Sequence, residues 1–224
     1  MSSVNHRRFK EELYGQLARV GAAVSNATRL EMMELLAQRE RSVEDLAHEL
    51  GVSVANASKH LKVLAAVHLV EARRAGTFIH YRLASPSALR LLRLIGEFAE
   101  ERLPEIGAAL QRHLGERAIE KIKPDKIVRI VKRGAVLLDV RPEAEYNAGH
   151  IKGAHNIPID LISRKKASQV LSADREVIVY CRGPYCVWAD EAVDHLRKWG
   201  FTAHRLLLGA PDMQALGEEL ETAG

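Results

Sequence analysis

Cysteine is scarce in this chain, which has only two among its 224 residues, Cys181 and Cys186. Two cysteines are too few to staple a small secreted domain, so their scarcity excludes a disulfide-rich scaffold. In a reducing compartment, two neighbouring thiols are more often catalytic, redox-active or metal-binding than structural. The pair is therefore the first candidate for chemistry in this sequence.

Long hydrophobic runs are also missing. The sequence contains no apolar stretch of about 18 residues, the length that a membrane-spanning helix needs. It also lacks a charged-then-apolar leader, so we expect a cytoplasmic protein with no membrane partner. Hydrophobic residues still make up 47% of the chain, which is enough to build the cores of two small domains.

The charge balance is mildly positive, with a formal net charge of +4 and an isoelectric point near 9.1. A basic protein attracts polyanions such as nucleic acids. Charge alone does not establish DNA binding, so that prediction depends on the pattern of helices.

The first half of the sequence is typical of a helical domain. Apolar residues recur at steps of three and four, which predicts an amphipathic first helix and a second helix over residues 28–38. Ser42 precedes the carboxylate of Asp45 by three residues, an arrangement that caps a helix running through Leu50. The stripe of the first helix is Phe9, Leu13, Leu17 and Val20, and the second helix is expected to bury Leu30, Met33, Leu35 and Leu36.

A tight glycine turn then separates two helices. Gly51 ends the capped helix, and Ser53 is placed to cap another helix after the turn. We expect Leu61, Val63 and Leu64 of that helix to face the core. Helix, turn and helix in this order are typical of the helix-turn-helix motif.

Two extended segments follow, residues 69–74 and 77–83, around a turn at Ala75 and Gly76. This pattern predicts a β-hairpin, which is a candidate wing. A last helical stripe covers residues 87–113. Pro104 should kink or interrupt that helix, because proline cannot donate a backbone hydrogen bond.

The pattern changes after residues 114–123, which are charged and poorly periodic. Beyond them, short apolar runs alternate with helical patterns, which predicts an α/β domain with a parallel sheet. The runs are residues 135–140, 177–180 and 203–208. We therefore expect an α+β winged helix-turn-helix and dimerisation domain at 1–113, a linker at 114–123 and an α/β domain at 124–224.

The segments NATRLEMMELL, SVEDLAHELGVSVANASKHLKVLAAVHLV and RRAGTFIHYRL resemble, in this order, the ArsR/SmtB family of winged-helix repressors. The resemblance implies a homodimer, held by its first and last helices, that binds a palindromic operator in double-stranded DNA. The helix after the turn would enter the major groove, and the hairpin arginines would hold phosphates. The candidate DNA-contacting residues are Ser53, Ala55, Asn56, Ser58, Lys59, His60, Lys62, Arg73 and Arg74.

Metal sensing, which that family often performs, is not supported by these residues. Metal-sensing relatives carry cysteines in the helix before the turn, but the matching stretch RSVEDLAHEL has none. The stripe over residues 87–113 offers no pair of His or Asp residues at ligand spacing. We therefore predict neither a metal site nor a cofactor.

The stretches LLDVRPEAEYNAGHIKGAHNIP and VIVYCRGPYCVWADEAVDHLRKWGF resemble a single rhodanese domain over residues 123–220. The resemblance implies a persulfide-forming Cys181, on the loop between a central strand and a helix. Loop N–H groups and the helix dipole should stabilise a thiolate there and lower the pKa of Cys181. Arg182 and Arg141 would add positive charge, and Asp139 would orient the loop.

Cys186 departs from the rhodanese pattern, which commonly has an arginine or a small polar residue near this position. A second thiol could resolve a persulfide on Cys181, as a disulfide or as a bridge of extra sulfur atoms. Cys186 would then stand in place of a residue that binds the sulfur donor, which argues against efficient turnover of thiosulfate. Cys186 could instead be a small buried hydrophobic residue at the start of the next helix.

Three functions fit these features. The first is a repressor that senses reactive sulfur species or thiol oxidants through Cys181 and Cys186, with a sulfane-sulfur donor or small thiol persulfide as its partner. The second is a sulfurtransferase acting on thiosulfate or a persulfide, whose DNA-binding domain serves autoregulation or localisation. The third is a repressor that responds to arsenite or another soft metal, because soft cations select sulfur ligands.

Overall fold

The computed structural model describes residues 3–114, 130–131 and 133–222. The chain divides into two compact units, Met1–Arg93 and Leu94–Gly224. Most of the predicted linker lies outside the described residues, so the predicted domain limits stay a prediction. Within the described part of the chain, no helix is long and apolar enough to cross a membrane.

The first unit consists of helices and a small sheet. Its elements are α1 (Ser3–Val24), α2 (Ala27–Gln38), β1 (Arg41–Ser42), α3 (Val43–Glu49), α4 (Val54–Ala65), β2 (Val70–Ala75), β3 (Phe78–Leu83) and the start of α5 (Pro86–Arg102). Two predicted caps are confirmed. The Ser42 hydroxyl accepts a hydrogen bond from the Asp45 N–H at 3.0 Å, and the Ser53 hydroxyl accepts one from the Asn56 N–H at 3.2 Å.

The three strands of this unit form an antiparallel sheet in the order β1-β3-β2. In the β2–β3 hairpin, Val70 pairs with Leu83 and Ala75 pairs with Phe78. Gly76 makes the turn with a φ of +63°, a conformation that glycine adopts without steric penalty. The predicted hairpin is therefore confirmed.

The core of the first unit includes one face of α4. Ala57, Leu61 and Leu64 are completely buried there, and their spacing places them on one side of the helix. Val63 was predicted to face the core but is exposed, because it lies about 100° around the helix from Leu64. Leu30, also expected to be buried, is half-buried.

Proline divides the helix that was predicted over residues 87–113. Helix α5 ends at Arg102, and helix α6 (Pro104–Leu114) begins with Pro104. Proline suits the first position of a helix, because the N–H there has no partner within the helix. The expected interruption is therefore confirmed.

A parallel sheet forms the centre of the second unit. Its elements are β4 (Val136–Asp139), α7 (Glu143–Ala148), β5 (His150–Ile151), β6 (His155–Asn156), α8 (Arg164–Val170), β7 (Val177–Tyr180), α9 (Trp188–Lys198), β8 (Ala203–Arg205), α10 (Ala210–Ala215) and β9 (Leu220–Glu221). The parallel strands lie in the order β6-β4-β7-β8, which confirms the predicted α/β class. Strand β8 is shorter than predicted, since it ends at Arg205.

Strand β7 is buried on both faces of the sheet. Val179 packs on one face in the same cluster as Leu196 of α9, whereas Ile178 and Tyr180 pack on the other face with Met213 of α10. Alternate residues of a strand point to opposite faces, which explains the continuous apolar run of β7. The residues that follow this strand therefore lie near the middle of the sheet's carboxyl edge.

Candidate functional site

A loop of residues 181–187 joins β7 to α9 and carries both cysteines. Because the strands are parallel, this loop lies at the carboxyl edge of the sheet, where ligands bind in open α/β sheets. Helix α9 begins at Trp188. Cys186 therefore lies within the loop, whereas the sequence pattern indicated a position at the start of the helix.

Cys181 and Cys186 form a disulfide across this loop, with their Cα atoms 6.4 Å apart. Only 2% of Cys181 is exposed. Cys186 is half-buried and packs at the border of the apolar core on that face of the sheet. In this oxidised state the solvent therefore reaches Cys186 more easily than Cys181.

Within the described ranges, the structure groups no set of three or more His, Cys, Asp or Glu side chains that could hold a metal ion. In the part of the chain that is described, the two cysteines therefore have no third ligand of these types beside them.

Arg182 anchors the loop to helix α7. Its Nε donates to the Glu145 carboxylate at 3.0 Å and its Nη2 donates to the same group at 2.6 Å. The guanidinium also lies 4.4 Å from the centre of the Trp188 ring, as in a cation–π contact. The positive charge predicted to assist a thiolate is therefore paired with a carboxylate that is 1% exposed. Glu145 was not predicted from the sequence, because nothing in the residues around it indicates a distant partner.

Asp139 and Arg141 form a completely buried ion pair at the end of β4. Arg141 donates to the Asp139 carboxylate at 3.0 Å from Nε and 2.6 Å from Nη2, and also to the Gly149 carbonyl at 2.9 Å. Burial acts to lower the pKa of Arg141, but the hydrogen bond and charge of Asp139 raise it above its usual value. The guanidinium therefore stays charged and ties the end of β4 to the turn at Gly149.

Replacing Arg141 with methionine is expected to lower the free energy of unfolding by about 3–5 kcal/mol, because it leaves a buried carboxylate without a counter-charge. Urea denaturation of the full chain measures this loss. The control is Arg7→Met, which removes one partner of an exposed ion pair with Glu11 and should leave the midpoint unchanged. Equal midpoints for Arg141→Met and the wild type would contradict this role of the pair.

Arg205 reaches the loop from the neighbouring strand β8. Its Nη1 pairs with the Asp190 carboxylate of α9. Its Nη2 donates to the carbonyls of Pro184 and Cys186, each at 2.9 Å, and lies 3.4 Å from that of Gly183. From the sequence, Arg205 was expected only as part of an apolar strand, and this role was not predicted. The one available signal was a charged residue within that run.

Tyr185 of the loop lies against Gly96 of helix α5, in the same unit of the chain. A Cβ atom at position 96 would collide with the Tyr185 hydroxyl, so the absence of a side chain makes room for the ring. Beside it, a cavity of about 380 Å³ separates the loop from helix α6. Its lining is mostly apolar and includes Ile106, Leu110 and Pro184.

The candidate DNA-contacting residues of α4 lie away from the core. Gly51 makes the preceding turn with a φ of +64°. His60 Nδ1 lies 3.5 Å from the Arg29 guanidinium of α2, so its ring is already engaged. The exposed members of the set are Ser53, Ala55, Asn56, Lys59 and Lys62, and the half-buried members are Ser58 and His60.

Arg73 and Arg74 are exposed on strand β2 of the hairpin. Arg73 binds the carboxylate of Glu40, and this hydrogen bond holds the pKa of Glu40 below its usual value. Arg74 Nε donates to the Gly76 carbonyl at 3.3 Å. Glu40 was not anticipated, and Arg73 would have to exchange this carboxylate for a phosphate in order to contact DNA.

Two families of known proteins match this chain, one in each half. The family described as "Bacterial regulatory protein, arsR family" matches residues 26–72, which contain the helix-turn-helix. The family described as "Rhodanese-like domain" matches residues 123–210, which contain the cysteine loop.

Individual relatives show the same two similarities. The HTH-type transcriptional regulator Rv0324 of Mycobacterium tuberculosis is 42% identical over 198 residues, which are 88% of this chain and 86% of that protein. A solved homodimeric winged helix-turn-helix domain from Mycobacterium bovis, described as a possible ArsR-family regulator, is 45% identical. It covers 42% of this chain and 87% of its own, with a TM-score of 0.40. A solved rhodanese-like domain from Anabaena sp. is 30% identical and covers 46% of this chain and 79% of its own, also with a TM-score of 0.40.

Proposed function

The chain belongs to the ArsR family of bacterial transcriptional regulators and carries a rhodanese-like domain, and from this premise we propose that it is a repressor whose Cys181–Cys186 pair senses reactive sulfur species. The observation that carries the proposal is the disulfide between these cysteines, in the loop after the central strand. A single thiol in this loop could hold a persulfide or pass its sulfur to an external acceptor. A second thiol within reach can convert that persulfide into a disulfide.

A persulfide is a sufficient oxidant for this conversion. The Cys181 thiolate attacks the outer sulfur of a persulfide RSSH, and the thiol RSH leaves. The Cys186 thiolate then attacks the Cys181 sulfur, which forms the disulfide and releases hydrogen sulfide. Two thiols are oxidised and one sulfane sulfur is reduced to sulfide, so atoms and electrons balance. The product is the disulfide state described above.

The exposed face of α4 supports the DNA-binding part of the proposal. The side chains of Asn56 and Lys59 are exposed there. An amide can pair with adenine in the major groove, whereas a lysine can bind guanine or a phosphate. On the hairpin, Arg74 supplies further positive charge, and Arg73 would do so after exchanging the Glu40 carboxylate for a phosphate.

A homodimer is the second part of the proposal. Helices α1 and α5 carry large apolar side chains that the described chain leaves exposed. They are Phe9, Leu13, Tyr14 and Leu17 on α1, and Leu94 and Phe98 on α5. Apolar rows of this kind are unfavourable in water and are typical of a surface that pairs with a second copy. Such a dimer would present two copies of α4 to a palindromic operator.

The contact between Tyr185 and Gly96 supports a route from the sulfur pair to the DNA-binding helices. Tyr185 immediately precedes Cys186, so a change in the bonding of that cysteine displaces its neighbour. Gly96 belongs to helix α5, which starts at Pro86 in the first unit. A shift of the loop would therefore act on a helix that is shared with the winged-helix unit.

A sulfurtransferase is the alternative that the rhodanese-like match at residues 123–210 favours. In that function Cys181 would pass its sulfur to an external acceptor, and Cys186 would be dispensable. Steady-state transfer from thiosulfate to cyanide by Cys186→Ser separates the two. Free turnover of that variant would support the transferase.

Intact mass spectrometry combined with DNA binding tests the sensor. The reduced full chain is treated with glutathione persulfide or with arsenite, and then mixed with DNA that the untreated protein selected from a random-sequence pool. We expect the persulfide to remove two hydrogens from the mass and to release the DNA, and arsenite to do neither. A stable gain of sulfur would contradict the resolving role of Cys186. Release by arsenite alone would contradict the sensing of sulfur.

A further inference from the structure

A buried arginine of strand β8 contacts the backbone of the cysteine loop. Arg205 is 5% exposed, and its guanidinium binds one carboxylate and three loop carbonyls, those of Gly183, Pro184 and Cys186. Among the described residues its Nε has no hydrogen-bond partner. A buried guanidinium is costly unless its charge and its donors are satisfied. The loop carbonyls and Asp190 therefore share the task of satisfying it.

These contacts fix the orientation of the loop peptides. In a trans peptide, the carbonyl of one residue and the N–H of the next point in opposite directions. Because the carbonyls of Pro184 and Cys186 face Arg205, the N–H groups of Tyr185 and Val187 point to the opposite side of the loop. The carbonyl of Cys186 also lies 3.7 Å from the sulfur of Cys181, so one carbonyl is in contact with both the guanidinium and the sulfur pair.

We propose that Arg205 is the positioning residue of the sulfur pair, which holds the peptides before and after Tyr185 so that the Cys186 sulfur stays within bonding reach of Cys181. The inference rests on the proposed function only in assuming that the two cysteines cycle between thiols and a disulfide. Arginine suits this role because its planar group carries five donors in a fixed arrangement, whereas lysine has a single nitrogen.

The measurable consequence concerns the equilibrium between the two thiols and the disulfide, which sets the reduction potential of the pair. A held loop keeps the two sulfurs at a high effective concentration, and a released loop lowers that concentration. Without the guanidinium we expect the equilibrium constant for disulfide formation to fall about tenfold, which corresponds to about 30 mV in the reduction potential of a two-electron couple. A residue with a merely structural role would change the unfolding midpoint and leave this potential unchanged.

The experiment equilibrates the full chain with dithiothreitol buffers of defined ratio, traps the thiols by alkylation and counts them by mass. Arg205→Lys keeps the positive charge, and its equilibrium constant for disulfide formation should fall about threefold. The double variant Arg205→Met, Asp190→Leu removes the ion pair without leaving an unpaired buried charge, and should show the full tenfold loss. Asp190→Asn leaves the contacts between the guanidinium and the loop carbonyls in place, so its reduction potential should stay near that of the wild type.

A matched control is Arg197→Gln. Arg197 of α9 also donates to a backbone carbonyl, that of Ala203 in strand β8 at 2.9 Å, and this contact lies outside the loop. We expect its potential to equal that of the wild type. A wild-type potential in both Arg205 variants would overturn the inference, and so would an equal shift in Asp190→Asn. No DNA is present in this measurement, so its failure would leave the sensor proposal standing. Conversely, if glutathione persulfide failed to release the DNA, the role of Arg205 would be unaffected.

Discussion

Cys181→Ser is expected to stay bound to DNA at persulfide concentrations that release the wild type. Coupling between two sites of one protein is typically worth about 1–3 kcal/mol, so the wild type should lose about 5- to 150-fold in affinity when its pair is oxidised. The variant has no sulfur at position 181 to accept the sulfane atom. Its affinity should therefore change by less than about twofold. Fluorescence anisotropy with the selected DNA, before and after treatment with glutathione persulfide, measures both values.

Cys186→Ser is the matched variant for this experiment. It keeps the accepting thiol but cannot close the disulfide, so it should gain one sulfur and hold it on Cys181. If disulfide closure releases DNA, this variant should also stay bound. Release of Cys181→Ser as readily as the wild type would refute the sensor. If the treatment released Cys186→Ser from DNA but did not release Cys181→Ser, a persulfide on Cys181 would be enough for release and the second thiol would have another role.

Substitutions on the exposed face of α4 are expected to weaken DNA binding in two distinguishable ways. Asn56→Ala should cost about 1–3 kcal/mol on the selected sequence and relax the preference at one base pair, because an amide reads base edges. Lys59→Ala should weaken binding to selected and random DNA alike if its ammonium binds a phosphate. Anisotropy titrations with both kinds of DNA separate these effects.

Lys10→Ala provides the control, since Lys10 is an exposed lysine on α1 outside the predicted face. This substitution should change the affinity for selected DNA and the affinity for random DNA by no more than about twofold. Sedimentation must give the same mass for all three variants, so that a loss of affinity is not caused by loss of the proposed dimer. An equal loss in Lys10→Ala and Lys59→Ala would indicate attraction by net charge alone. Unchanged binding in Asn56→Ala would remove that residue from the interface.

Local signals in the sequence predicted local structure. Ser42 and Ser53 cap the helices expected of them, because a cap is an interaction between a hydroxyl and an N–H three residues away. Gly76 makes the expected turn for a similar reason. The cysteine loop was also placed correctly between a central strand and a helix, but Cys186 was expected at the start of that helix and lies two residues before it.

Interactions between distant residues were not predictable in the same way. Glu145 and Asp190 are separated from their arginine partners by 37 and 15 residues, and no periodic pattern connects them. Val63 shows a related difficulty, since helical periodicity indicated a stripe but did not fix its centre to within one residue. The support of the loop is therefore a property of the folded second unit, whereas the identity of its thiols is a property of the sequence.

The ion pairs around the loop respond to salt differently from contacts with DNA. The side chains of Arg182 with Glu145 and of Arg205 with Asp190 are at most 11% exposed, so dissolved ions barely screen them. Contacts with DNA phosphates respond in the opposite way, since each one competes with the counterions of the double helix. Under the proposed function, a rise in ionic strength would therefore weaken DNA binding more than it weakens the ion pairs that support the cysteine loop.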